Sequence, residues 1–518
     1  MSVTPKTSPE RTGPAAEPPT LRRATLGTSD IVFFVVSAAA PLTVMAGVAP
    51  LAIVLGGIGA PAGYLIAGIT LAVFAVGFTT MSRHVRSGGA FYAYIAQGLG
   101  KPAGIGAALL AMVGYNGMEI GVYGLLGSAT AETAEALWGV HIPWLPVSLA
   151  GLLIIWYGGF RSIEFGAKLL GVLLVAETGI LVLLAGGVLI KGGADGLSAA
   201  SFAPGNVLVP GTAVVLAFAF TAFTGFESTA IYRREARDPG RTIRRATYIA
   251  VAFLGLFYAF VVWTVIQAFG DDEVVRAATD DAGGLFFAAI TTYVGGWAAD
   301  LMHILIVTSI LASLLAFHNA INRYGLALAE EGVLPKTFGR VHRRHRSPYV
   351  VGVAQSVLGL AVVLAFALAG ADPYTQLLLW VNTPGGIGLM ALQLLAAIAV
   401  PFYFRRISHT EGVLRTVVAP TVAAVLLAAA IWLVASKIDV FTGASPTVNT
   451  VLLAIVPATF AVGLGLARRL RRSRPEVYAR FGAEPEQPDA EPQPEQPAGP
   501  GPGSAPAAAL PAQADPAQ

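Results

Sequence analysis

Three glutamates, Glu119, Glu177 and Glu227, stand inside long apolar runs. An unpaired charge at the centre of a bilayer costs from about 2.5 to more than 10 kcal/mol, so carboxyls in such places mark function by default. Two of the apolar runs are also interrupted. The first contains Ser37-Ala38-Ala39-Ala40-Pro41, and the sixth contains Phe223-Thr224-Gly225-Phe226-Glu227. A proline or glycine break frees backbone N–H and C=O groups that lipid cannot satisfy, so it persists only where it lines a protein cavity. When two such breaks fall at corresponding positions of two halves, that cavity is the best candidate for a substrate site. The pattern is that of a transporter. The plain alternative is that Pro41 kinks a packing helix and Gly225 lets two helices approach closely.

The elements that must position these residues follow from hydropathy. Of 518 residues, 55% are hydrophobic and 12% charged, and the mean hydropathy is +0.68. Soluble domains carry about a quarter charged residues, so this composition belongs to an all-α polytopic membrane protein. With no cysteine, disulfides, thiolate metal sites and cysteine nucleophiles are excluded. A helix needs about 20 apolar residues to cross the hydrocarbon core, which predicts about twelve spans: 31–53, 60–80, 102–127, 143–159, 167–190, 211–231, 246–269, 285–317, 349–369, 375–402, 415–436 and 448–467.

Positive charge is retained on the cytoplasmic side. The connections after even-numbered spans hold most of the lysines and arginines, including six arginines between Arg233 and Arg245. Those after odd-numbered spans hold only Lys191, Arg276 and Lys437, which predicts a cell-membrane protein with both termini in the cytoplasm. The broken spans, first and sixth, then cross in opposite directions, as in a 5+5 inverted repeat. The expected organisation is a cytoplasmic arm over 1–22 and a permease domain over 23–470. Within the latter, repeat one covers about 31–190, repeat two about 211–402, and two appended helices about 415–467. A Pro/Ala/Glu-rich tail over 471–518 is too polar to fold alone.

Three ordered motifs carry a family resemblance. The sixth span and its exit read Phe223-Thr224-Gly225-Phe226-Glu227, Glu235-Ala236-Arg237-Asp238-Pro239 and Arg241-Thr242-Ile243. After the second span comes Ser87-Gly88-Gly89-Ala90-Phe91-Tyr92-Ala93-Tyr94, and around the end of the eighth Asn322-Arg323-Tyr324, Ala329-Glu330-Glu331-Gly332-Val333-Leu334-Pro335, Val341-His342 and Ser347-Pro348. From Leu21 to about Ser408 the chain resembles the amino acid–polyamine–organocation (APC) superfamily of permeases. The resemblance implies the leucine-transporter-like fold, alternating access, and a small amine-bearing substrate held at Ala38, Ala39, Ala40, Pro41, Phe223, Thr224 and Gly225, with Phe226 as a further aromatic gate. Half-helix N-termini would attract a substrate carboxylate and freed carbonyls its ammonium group. Ala-Ala-Ala-Pro replaces the family's usual glycine-rich break, which leaves room for a polyamine, a monoamine or a larger amino acid derivative. Arg234 and Arg244 stand where glutamate and proline are common.

Glu177 falls where some proton-coupled relatives carry a lysine, so an acid there is the first candidate for proton coupling. Glu227 is a second candidate, equally suited to binding freed amides. Asn116 and Glu119 share the face of the third span that would reach the cavity. Ser309 and Ser313, on one face of the eighth span, would instead supply oxygens to a sodium ion. Proton is expected ahead of sodium, with no organic cofactor and no bound metal. An enzyme is not expected, because no HExxH, GxSxG or Walker sequence occurs, nor is a nucleic-acid partner. Partners are a small-molecule substrate and the lipid bilayer. An exchanger and a non-transporting nutrient sensor share the same sequence features.

Overall fold

The computed structural model describes residues 26–85, 90–161, 167–227, 229 and 236–482. The expected arm over 1–22, the Ser87-Gly88-Gly89 motif, Glu235 and the tail from 483 lie outside the described residues. Twenty α-helices are described.

Most of the helices are long and apolar, and their ends follow local chemistry. The first span is built from α1 (Thr28–Ala39), α2 (Pro41–Gly47) and α3 (Ala49–Gly56). At Ala40 the backbone turns left-handed (φ 44°, ψ 73°) and α1 ends. Pro41 then starts α2, since a proline has no N–H to leave unsatisfied and its φ already suits the first helical position. The second span is α4 (Ala60–His84), followed by the short α5 (Ala90–Leu99). The third to fifth spans are α6 (Lys101–Trp138), α7 (Trp144–Phe160) and α8 (Ala167–Lys191).

After a single turn, α9 (Pro204–Val207), the sixth span opens as α10 (Gly211–Ala222) and unwinds at Phe223. The seventh span is α11 (Pro239–Phe269), whose cap Asp238 accepts from the Arg241 N–H. Two short helices, α12 (Val274–Asp280) and α13 (Leu285–Tyr293), precede the eighth span, α14 (Gly296–Glu330). This corrects the expected 285–317: the apolar run is cut at Gly295, whose φ of 139° suits glycine alone. The remaining spans are α15 (Tyr349–Leu368), α16 (Leu379–Phe404, entered through a π-helical turn at Pro373–Leu378), α17 (Ala419–Ser436) and, after α18 (Ile438–Thr442), α19 (Pro446–Ser473). Ten of these helical stretches are long and apolar enough to cross a membrane, and Trp144–Phe160 and Gly211–Ala222 are shorter apolar helices. Together they are the twelve expected spans.

Two groups of helices position the breaks. The α4 helix packs along α11 and against α10, while α1 packs on α11. Separately, α6 packs along α16, α14 and α19. Gly117, Gly121 and Gly124 form one stripe of α6, where an added Cβ would lie 2.9, 3.0 and 2.4 Å from the carbonyls of Val381, Leu378 and Pro373. Only glycine permits that approach, which presses the π-turn of the tenth span against the third. The chain past 471 also differs from expectation. It stays helical to Ser473 and through α20 (Pro475–Arg480), and then Phe481, 1% exposed, stacks on Tyr92 at 5.6 Å. An apolar anchor inside a polar segment fixed it there.

Candidate functional site

The two breaks face one another. A Cβ placed on Gly225, whose φ is +108°, would lie 3.4 Å from the Ala38 Cβ. Between them and the third, eighth and tenth spans lies a cavity of about 80 Å³. Of the residues singled out from sequence, Ala38, Ala39, Thr224 and Ser313 line it. Its further polar groups come from Thr43, Thr221, Asn382 and Thr383, and among the described residues no acidic or basic side chain lines it. The rest of the wall is apolar, including Met118, Phe218 and Phe317.

Other singled-out residues stand behind this wall. Phe223 is fully buried against Tyr258, with ring centres 6.2 Å apart, and the Tyr258 hydroxyl reaches the Ala39 carbonyl at 3.4 Å. Ala40 and Pro41 form the junction itself. Phe226 points away from the cavity, edge-on to Phe74 and Phe78. As a gate over the ligand it is displaced in this conformation, because the unwound segment turns its ring into the aromatic cluster of α4. Asn116 donates to the Met112 carbonyl of its own helix at 2.8 Å. Glu119 accepts from Tyr123 at 3.2 Å and lies 3.1 Å from Nδ1 of His318, which is fully buried. Glu119 and His318 belong to the packing of the third span with the eighth.

The glutamates occupy the freed backbone donors. Glu177, 4% exposed, accepts from the Ser309 hydroxyl at 2.8 Å and from the Leu42 backbone N–H. Ser309 in turn meets Thr43, accepting from its hydroxyl at 2.8 Å and its N–H at 3.3 Å. Since Thr43 lines the cavity, two hydrogen bonds connect the cavity to Glu177. At the second break, Glu227 accepts from the Gly225 N–H at 2.9 Å and from the Tyr115 hydroxyl. The half-helix N-terminus expected to face a substrate carboxylate therefore faces a side-chain carboxyl. A helix N-terminus favours negative charge whichever molecule supplies it, and Glu177 is covalently present.

The sequence reading placed no site residue on the tenth span. Asn382 lines the cavity, and its Oδ1 is buried without a hydrogen bond among the described residues. The signal was available: Asn382-Thr383-Pro384-Gly385-Gly386 is a polar, proline-containing stretch inside an apolar run. The glycine pair lies inside α16, not at a helix end. Among the described residues no cluster of His, Cys, Asp or Glu is arranged to hold a metal ion.

Comparison with known proteins agrees with this architecture. The model of the amino acid permease family matches residues 30–477. An uncharacterized transporter of Mycobacterium tuberculosis is 34% identical over 148 residues, 29% of this chain and 32% of the relative. The chain thus spans about a third of that relative's length. A second uncharacterized transporter of the same organism is 29% identical over 349 residues, covering 60% of this chain and 66% of the relative. The low-affinity putrescine importer PlaP of Escherichia coli is 24% identical over 326 residues, covering 60% and 69%.

Proposed function

Because the chain belongs to the amino acid permease family, and is a multi-pass membrane transporter on that ground, we propose that it carries a small amino acid with an uncharged side chain. In this reading the carrier sits in the cell membrane with both termini cytoplasmic, works by alternating access and is driven by protons through Glu177. The observation that carries the reading is the pair of hydrogen bonds running from the cavity through Thr43 and Ser309 to Glu177. The groups bonded to Glu177 are neutral donors. Among the described residues its charge is therefore not fixed by an ion pair, and its protonation can follow its hydration as the cavity opens to one side and then the other.

The cavity supports the substrate class. Apolar walls suit an apolar side chain, hydroxyls suit a carboxylate, and the unpartnered Asn382 Oδ1 suits an ammonium group. A polyamine is less well served. Two buried ammonium groups without a facing carboxylate would lose hydration that the site does not replace, so the putrescine named for the Escherichia coli relative is not carried over. The first and sixth spans, with the second and seventh, form the moving bundle in this reading. The third, eighth and tenth belong to the scaffold, in keeping with how α4, α10 and α11 pack together and α6, α14 and α16 pack together. Sodium at Ser309 and Ser313 is disfavoured because the Ser309 oxygen already accepts from the Thr43 hydroxyl and N–H.

The test is uptake into proteoliposomes of labelled neutral, cationic and acidic amino acids, putrescine and ethanolamine, with and without an inward proton gradient. Gradient-driven accumulation of a neutral amino acid is expected, and Glu177→Gln should abolish accumulation while sparing exchange. Asn382→Leu should raise KM more than it lowers kcat. Uptake of putrescine alone, or accumulation by Glu177→Gln equal to the parent, would overturn the reading.

A further inference from the structure

A second cavity, of about 350 Å³, lies at one end of the helix bundle and has no part in the substrate site. Three helices build it. Thr79, Thr80 and Arg83 come from the last turns of α4, Arg244 and Tyr248 from the first turns of α11, and Arg415 from the turn leading into α17. The spacings Thr79–Arg83 and Arg244–Tyr248 are both i, i+4, which places each pair on one face of its helix. Three guanidiniums therefore converge on a single crevice.

Among the described residues, Glu411 is a carboxylate beside them. It lies 2.9 Å from Arg83 and 3.6 Å from Arg415, and it can neutralise one of the three charges. Retention of positive charge on one side of the membrane explains why arginines occur in these connections. It does not explain why three of them, from helices far apart in sequence, line one cavity. Arg244 is notable here, because it stands where the family resemblance leads one to expect proline. Exposed aliphatic residues stand near it along the chain. Ile249, Val413 and Leu414, one or two residues from the lining Tyr248 and Arg415, are 49%, 67% and 66% exposed.

A crevice lined by three guanidiniums at the ends of helices apolar enough to cross a membrane matches a molecule with an anionic phosphate ester and acyl chains. Arginine pairs bind phosphate oxygens through several parallel N–H bonds, and basic pockets between membrane helices recognise anionic headgroups. We propose that this crevice binds the phosphate of an anionic phospholipid, holding the eleventh span to the second and seventh. The shared chemistry, a phosphate ester, is also that of soluble phosphates; the exposed Val413 and Leu414 favour the lipid.

The experiment uses the purified full-length protein, depleted of lipid in a neutral detergent at fixed ionic strength. Thermal unfolding is followed while phosphatidylglycerol, phosphatidylcholine, glycerol phosphate or inorganic phosphate is titrated in. Phosphatidylglycerol should raise the unfolding temperature saturably, and Arg244→Gln and Arg415→Gln should each raise the half-saturating concentration by about tenfold, the loss of one charge-assisted contact. Arg468→Gln, at an exposed arginine of α19 that does not line the crevice, should behave like the parent. Native mass spectrometry counts bound lipid directly and serves if a variant unfolds early. An equal response to phosphatidylcholine, or unchanged binding in both arginine variants, would overturn the proposal. Saturation by inorganic phosphate or glycerol phosphate alone would make this a soluble-anion site and overturn the lipid assignment. None of these readouts depends on which substrate is carried.

Discussion

Ala40 and Gly225 hold the two breaks by opposite means. Ala40 adopts a left-handed backbone with a side chain that disfavours it (φ 44°), whereas Gly225 occupies φ 108° without a Cβ. Ala40→Gly should therefore stabilise the protein by about 0.5–1 kcal/mol, read as a higher unfolding temperature in detergent. Gly225→Ala should cost about 1–3 kcal/mol. Its Cβ would meet Ala38 at 3.4 Å, an ordinary contact, so the cost arises from the backbone and not from crowding. An unchanged unfolding temperature in Gly225→Ala would show that the break does not need glycine. Glu119 and His318 present a different case, buried together at 3.1 Å. His318→Leu leaves the Glu119 carboxyl with the Tyr123 hydroxyl but without its buried imidazole partner and should cost about 1–3 kcal/mol, while adding Glu119→Leu should recover part of the loss. A double variant no more stable than the single one would contradict this account.

At the scale of elements, the segment after the twelfth span is one part open to adjustment by pH. Phe481 stacks on Tyr92, Gln97 donates to the Gly482 carbonyl at 2.7 Å, and Glu331, just beyond α14, accepts from Tyr92 at 3.1 Å and from the Gly482 N–H. Burial lifts the Glu331 carboxyl from its ordinary 4.5 to about 7, against the pull of these two hydrogen bonds. The docked value is above the free one, so this contribution to docking is fully present below pH 4.5 and is lost as pH rises through about 7. The chain lacks cysteine, so a fluorophore on Arg480→Cys can report docking by anisotropy. Anisotropy should fall as pH rises through 7 in the parent and stay level in Glu331→Gln; parallel curves would remove Glu331 as the cause. How α20 docks was hidden in the sequence, because one phenylalanine among polar residues carries no periodic signal.

For the whole molecule, the proposed alternating access predicts which distances move. Spin labels paired within the bundle, on the second and seventh spans, should keep their separation when substrate is added. Labels pairing either span with the third or tenth should shift by several ångström, and uniform shifts in both sets would argue against a rigid bundle. The span number, the class of fold and the two breaks were legible in the sequence because hydropathy and proline or glycine chemistry act locally: lipid allows only helices, and only certain residues can interrupt them. Which side chains meet at the breaks was decided by packing between distant segments. Glu177 reaches the Leu42 N–H from the fifth span, Asn382 enters the cavity from the tenth, and Phe226 leaves it for the aromatic cluster of the second. The convergence of Arg83, Arg244 and Arg415 was equally invisible along the chain. Hydrophobic patterning says that a helix crosses the membrane but leaves its rotation about its own axis open, and that rotation is fixed only when small-residue stripes such as Gly117, Gly121 and Gly124 lock against a neighbour.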